Sequence, residues 1–184
     1  MSRIKTIAGG LIGIGIGVII AFVLLGINLL PRTAQPSNTL VGNHALQIGE
    51  PAPEFELQSS DGESISLGDY SGSVVLINFW ATWCAPCELE MPDIEEKYKE
   101  YNPEFKVIAV NFDEPAKDVD AFVDELGLTF DVVLDPGSVV QELYRVRGYP
   151  TSYFVDQDGI LRFQHIGIMT MGQLEEYLDK LGLQ

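Results

Sequence analysis

Val74-Val75-Leu76-Ile77-Asn78-Phe79-Trp80 runs without a charge into Ala81-Thr82-Trp83-Cys84-Ala85-Pro86-Cys87. The first seven residues are almost all apolar and rich in β-branched side chains, the pattern of a central strand covered on both faces. Pro86 suits the first turn of a helix, where its missing N–H costs nothing. The stretch therefore reads as strand, Cys-x-x-Cys, helix, and such a junction is the signature of a redox-active dithiol.

Cysteines three apart share one face of a helix, so two thiols in its first turn can close a small disulfide. Cys84 sits at the open end, where unpaired N–H groups and the positive end of the helix dipole favour a thiolate. Cys84 is thus expected to be the nucleophile and Cys87 the thiol that resolves the mixed disulfide. Other uses fit less well. Zinc needs about four ligands, but the chain has no second cysteine pair and its two histidines, His44 and His165, lie far off. Haem attachment wants histidine after the second cysteine, and Glu88 stands there. A structural disulfide across so short a loop stabilises little. No metal and no cofactor are expected.

Working outward, Phe55 to Gln58 and Ser64 to Leu67 alternate across an Asp61-Gly62 turn and read as an opening hairpin. The helix after the dithiol is predicted to run to about Tyr101 through Met91, Ile94 and Tyr98. A strand at Phe105 to Phe112, a helix at Ala116 to Leu126, a strand at Asp131 to Leu134 and a short helix at Val139 to Tyr144 follow. Ser152 to Val155 and Ile160 to Gln164 form a hairpin across Asp158-Gly159, and Met171 to Leu181 closes as a helix. Strands alternating with helices, then a hairpin and a helix, predict an α/β fold with a mixed sheet.

At 184 residues the chain fits one domain with an appendage in front. Ile7 to Leu30 carries no charge and is long enough to cross a bilayer at about 1.5 Å per residue. A cleaved signal has a shorter apolar core and a small-x-small exit, whereas cutting after Ala34 would put Arg32 at the minus-three position. An uncleaved anchor is expected, and no cysteine follows it to carry a lipid. Arg3 and Lys5 hold the N-terminus in the cytoplasm, so the rest lies beyond the membrane. The expected organisation is a cytoplasmic N-terminus at 1–6, a transmembrane signal anchor at 7–30, a polar flexible linker at 31–47 and the folded domain at 48–184. All 27 acidic residues lie at or after Glu50, against 8 basic ones there, a net charge of −19 that argues against nucleic acid and anionic lipid.

Together these features resemble a thioredoxin fold, and most nearly the TlpA/ResA-like family of membrane-anchored thiol-disulfide oxidoreductases. Ala52-Pro53-Glu54-Phe55-Glu56-Leu57, Asn78 to Cys87, Glu90 with Pro92, and Gly148-Tyr149-Pro150-Thr151 carry the resemblance. It implies a thioredoxin-like mixed sheet flanked by helices, with an N-terminal β-hairpin extension and one transmembrane helix. It also implies that Pro150 is cis and packs beside the dithiol. Proline has no N–H, so the Tyr149 backbone is then free to pair with an incoming peptide like an added strand. Trp83, Pro86, Tyr149 and Pro150 are the expected substrate-binding residues. Trp83 and Trp80 read as packing residues, Trp83 also shaping the rim of the site, and His165, within a strand, reads as structural.

Cytoplasmic thioredoxins bury an aspartate in the strand before the motif, but Asn78 stands here and cannot take up a proton. Glu90 is one turn past Cys87 on the same helical face, and the family places a buried glutamate there. Glu90 is therefore the expected acid/base partner, set apart from the solvated glutamates Glu88, Glu95 and Glu96.

The resemblance implies reduction of disulfides in exported proteins, apocytochrome c haem-binding cysteines included, with electrons from a transmembrane dithiol carrier. Three rivals stand beside it. A disulfide-forming oxidase would use the same dithiol at another potential. A peroxiredoxin-like peroxidase shares the Ala52-Pro53-x-Phe55 opening, but wants threonine three residues before the reactive cysteine, where Ala81 stands. A copper or assembly chaperone would want a wider cysteine spacing and a distal histidine.

Overall fold

The computed structural model describes residues 46–184. The anchor expected at 7–30, the segment 1–6 and the greater part of 31–47 lie outside the described residues. Among the described residues no helix is long and apolar enough to cross a membrane.

The elements run β1 (Glu56–Gln58), β2 (Ser64–Ser66), β3 (Val74–Trp80), α1 (Ala85–Tyr101), β4 (Phe105–Phe112), α2 (Ala116–Leu126), β5 (Asp131–Asp135), α3 (Val139–Leu143), β6 (Thr151–Val155), β7 (Leu161–Ile166) and α4 (Met171–Lys180). They form one seven-stranded sheet in the order β2-β1-β5-β4-β3-β6-β7. β3 pairs parallel with β4 and antiparallel with β6, and β4 pairs parallel with β5. The opening hairpin joins the sheet through Gln58 opposite Leu134. The sheet is thus mixed, with β3 between its parallel and antiparallel parts.

Every residue of β3 is buried, and the two-residue period of a strand divides them between two cores. Val74, Leu76 and Trp80 face Met91 and Ile94 of α1 and Leu174 and Leu178 of α4. Val75, Ile77 and Phe79 face Val140 of α3, Tyr144 and the hairpin residues Phe55 and Ile65. Asn78 has the parity of Trp80, so it points toward α1. That placement decides the chemistry described below.

Helix α1 starts at Cys84, whose side chain caps it, and holds Pro92 inside. Pro92 cannot donate to the carbonyl of Glu88, which weakens the ladder one turn beyond the cysteines. The helix ends at Asn102, and the Asn102–Pro103 peptide is cis, a feature the sequence reading did not anticipate. The terminal helix α4 opens with a reciprocal cap: Gln173 N–H donates to Thr170 Oγ1 and Thr170 N–H to Gln173 Oε1. β7 extends to Ile166, two residues past the expected end at Gln164, because Ser152 and Thr151 of β6 pair with His165 and Ile166.

Candidate active site

The two cysteines form a disulfide with Cα atoms 5.3 Å apart. Cys84 adopts an extended backbone at the head of α1, and the Cys87 N–H donates to its Sγ at 3.2 Å. The Cys84 carbonyl receives the Cys87 and Glu88 N–H groups, and Cys84 N–H donates to Ala81. The sulfur of Cys84 therefore lies against the unpaired N–H groups of the helix, where negative charge is favoured. Cys84 keeps 4% of its surface exposed and Cys87 none, while Ala85 and Pro86 between them are exposed. Attack from outside reaches Cys84 first.

Glu90 stands one turn behind Cys87 and is 1% exposed. Asn78 Nδ2 donates to its Oε1 at 2.8 Å, and the Met169 N–H donates to its Oε2 at 2.8 Å. The same Asn78 amide donates to Ser152 Oγ at 3.0 Å. Burial disfavours the charged carboxylate more than these two donors favour it, so the Glu90 pKa is pushed up to about 7. A carboxyl poised there gives and takes protons near neutrality.

The expected comparison set needs one correction. Glu95 is not solvated: it is buried, accepts from Thr129 N–H at 2.9 Å and Thr129 Oγ1 at 2.6 Å, and pairs with Lys99 at 2.8 Å. The loop between α2 and β5 brings Thr129 over α1, a contact that helical periodicity alone does not disclose. Glu88 and Glu96 are exposed, as expected.

The remaining predicted residues are placed as follows. Tyr149–Pro150 is cis and Pro150 is buried. Trp83, expected to pack, is instead 64% exposed because it lies on the turn ahead of the helix head, and it meets the half-buried Tyr149 ring edge-on at 5.7 Å, while Phe112 from the end of β4 packs on Tyr149 at 5.5 Å. The Tyr149 hydroxyl donates to Gln141 Oε1. Trp83, Phe112 and Tyr149 thus form an aromatic rim beside Cys84. Trp80 is fully buried and packs on Phe122 at 4.8 Å, as a core residue should.

Two participants were missed in the sequence. Phe112 reads as an ordinary strand terminus. Glu114 reads as one acid among many, yet its carboxylate accepts from Thr82 N–H at 2.7 Å, Thr82 Oγ1 at 2.6 Å and Asn111 Nδ2 at 2.8 Å. It ties the turn that carries Trp83 and Cys84 to the end of β4. An Asn-x-x-Glu pair at the end of a strand next to the motif strand is the one signal that pointed to it. Glu114→Ala is expected to destabilise the domain by about 1–3 kcal/mol, because the Asn111 amide and Thr82 N–H lose a charged acceptor. Denaturant unfolding measures this, and an unchanged midpoint would show that solvent replaces the carboxylate.

Among the described residues no group of three or more His, Cys, Asp and Glu side chains converges as a metal site. A dithiol at a helix head, a cis-proline and a mixed sheet between helices define a thioredoxin-like thiol-disulfide oxidoreductase.

Comparison with known proteins gives the same class. Residues 48–164 match the AhpC/TSA family. The thioredoxin-like protein YneN of Bacillus subtilis is 43% identical over 137 residues, 73% of this chain and 80% of that one. The thiol-disulfide oxidoreductase ResA of Halalkalibacterium halodurans is 40% identical over 144 residues, 78% of this chain and 82% of its own. Among solved structures, a candidate thiol:disulfide interchange protein DsbE from Chlorobium tepidum superposes with a TM-score of 0.69 at 36% identity, covering 74% of this chain and 99% of its own. The chain belongs to the TlpA/ResA-like thiol-disulfide oxidoreductases within the AhpC/TSA family.

Proposed function

We propose that residues 7–30 anchor the chain in a lipid bilayer, that the domain at 48–184 works on the extracytoplasmic side, and that it reduces disulfides in exported proteins, apocytochrome c among them. In this reading the Cys84 thiolate attacks a client disulfide. A Cys84–client bond forms, the client S–S bond breaks, and one client thiolate leaves. Cys87 then gives its proton to Glu90 and attacks Cys84 Sγ, closing the Cys84–Cys87 disulfide and releasing the second client thiolate. Protons from Glu90 and solvent neutralise the products, and two electrons have passed from the dithiol to the client. A transmembrane dithiol carrier restores the reduced pair. The aromatic rim and the Tyr149 backbone beside Pro150 receive the client segment.

The observation that carries this reading is the buried Glu90 carboxyl one turn behind Cys87, which supplies the proton acceptor that Asn78 cannot be. The peroxidase alternative loses ground for a separate reason: the Thr82 hydroxyl donates to Glu114 at 2.6 Å and so is committed away from the sulfur.

Trapping tests the proposal. Cys87→Ser expressed in native membranes is expected to accumulate disulfide-linked exported proteins, cysteine-bearing apocytochrome c included; partners drawn only from the cytoplasm would overturn the assignment. The protein is also expected to keep its N-terminus and fractionate with membranes, and a soluble form beginning near Gln35 or Ser37 would overturn the anchor. A reduction potential at or below the thioredoxin value of about −270 mV separates a reductant from an oxidase.

A further inference from the structure

Asn78, Ser152 and His165 are register partners across β3, β6 and β7, so their side chains share the sheet face covered by α1 and α4. Asn78 holds Glu90 directly. His165 reaches it by one peptide group. Its Nε2 lies 3.2 Å from the Ile168 carbonyl, and the N–H of that same peptide, carried by Met169, donates to Glu90 Oε2 at 2.8 Å.

The ring's proton follows from its partners. A carbonyl oxygen only accepts, so the network assigns the hydrogen to Nε2 as donor to Ile168 at 3.2 Å and leaves Nδ1 to accept from the Tyr177 hydroxyl at 3.2 Å. The Tyr177 ring stands edge-on to the imidazole at 5.9 Å, and α4 thereby fixes the ring plane. Donation to the Ile168 carbonyl polarises the peptide and strengthens its N–H as a donor on the far side. We infer that His165 is a positioning residue for Glu90: its Nε2–H grips the Ile168 carbonyl and, through that peptide group, sets the Met169 N–H that holds the Glu90 carboxylate.

The titratable and charged groups around this unit are few. Tyr177 and Lys180 come from α4, with Lys180 5.8 Å from the Tyr177 ring centre and paired to Glu176. Asp93 and Cys87 come from α1, where Asp93 adds to the upward push on Glu90.

For its consequence in disulfide exchange the inference rests on the proton-acceptor reading of Glu90, but the contact is measurable without it. The oxidised protein, labelled with ¹³C in glutamate carboxyls, is titrated, and the Glu90 resonance is identified by its loss in Glu90→Gln. In His165→Leu the Glu90 midpoint is expected to rise by about half a pH unit, the size of one weakened charge-assisted hydrogen bond. In His165→Gln, whose amide N–H reaches the place of Nε2–H, it is expected to return to the parent value. A residue that merely fills space would leave both midpoints unchanged. Coincident parent and His165→Leu curves, or a His165→Gln shift as large as that of His165→Leu, overturn the inference. Should His165→Leu fail to fold, the imidazole ¹⁵N spectrum of the parent decides: an Nε2–H tautomer is expected, and an Nδ1–H tautomer overturns it. The reading of Glu90 itself stands or falls separately on the exchange rate of Glu90→Gln.

Discussion

Cys84→Ser is expected to lower the rate of disulfide exchange by roughly a thousandfold or more, the scale on which loss of an attacking nucleophile acts, and to leave no mixed disulfide to trap. Cys87→Ser should be equally poor in turnover for the opposite reason. Its Cys84 still attacks, but the Cys84–client bond then waits for an outside thiol. The asymmetry comes from the helix head: Cys84 meets solvent and accepts the Cys87 N–H, whereas Cys87 is sealed beneath it. Alkylation of the reduced protein near neutral pH checks the order. Faster labelling at Cys87 than at Cys84 would reverse the two roles.

Glu90→Gln is expected to change stability and rate in opposite directions. For an acid whose folded pKa is raised from 4.5 to about 7, the protonated form is the one the fold favours. The stabilisation is fully present below about pH 4.5 and is lost as pH rises through about 7, a difference of about 3 kcal/mol from this group. Glutamine is neutral throughout. It keeps an acceptor for the Met169 N–H, and Asn78 turned over can offer its oxygen to the new amide. Denaturant unfolding of the oxidised parent should therefore weaken between pH 5 and pH 8 relative to Glu90→Gln, with Glu96→Gln following the parent. Parallel parent and Glu90→Gln curves would mean that the carboxyl titrates as if in water. In the reduced protein, the same substitution should slow exchange by roughly tenfold, the low end of acid–base contributions. It should also lower the apparent thiol pKa values, because a neighbouring negative charge has gone. Thiolate absorbance and exchange rate, each followed against pH, measure the two effects.

The stretch from Val74 to Cys87 determined the fold class and the redox chemistry, because both rest on local rules. A seven-residue apolar run must be covered on two faces, and two thiols in a first helical turn must meet. Element boundaries elsewhere fell within a few residues for the same reason, as at the start of α4 at Met171. Even the pairing of Asn78 with Glu90 was latent in the sequence: strand parity turns Asn78 toward α1, and the i to i+3 step places Glu90 behind Cys87. Burial of individual acids was not local. Glu95 and Glu90 sit on one helix with similar neighbours in sequence, yet Thr129 arrives over the first and Met169 over the second from loops 34 and 79 residues away. Whether a carboxylate is solvated, clamped to a turn like Glu114, or held with a raised pKa like Glu90 depends on which distant N–H groups the fold brings to it. Only the closed sheet and its packed helices decide that.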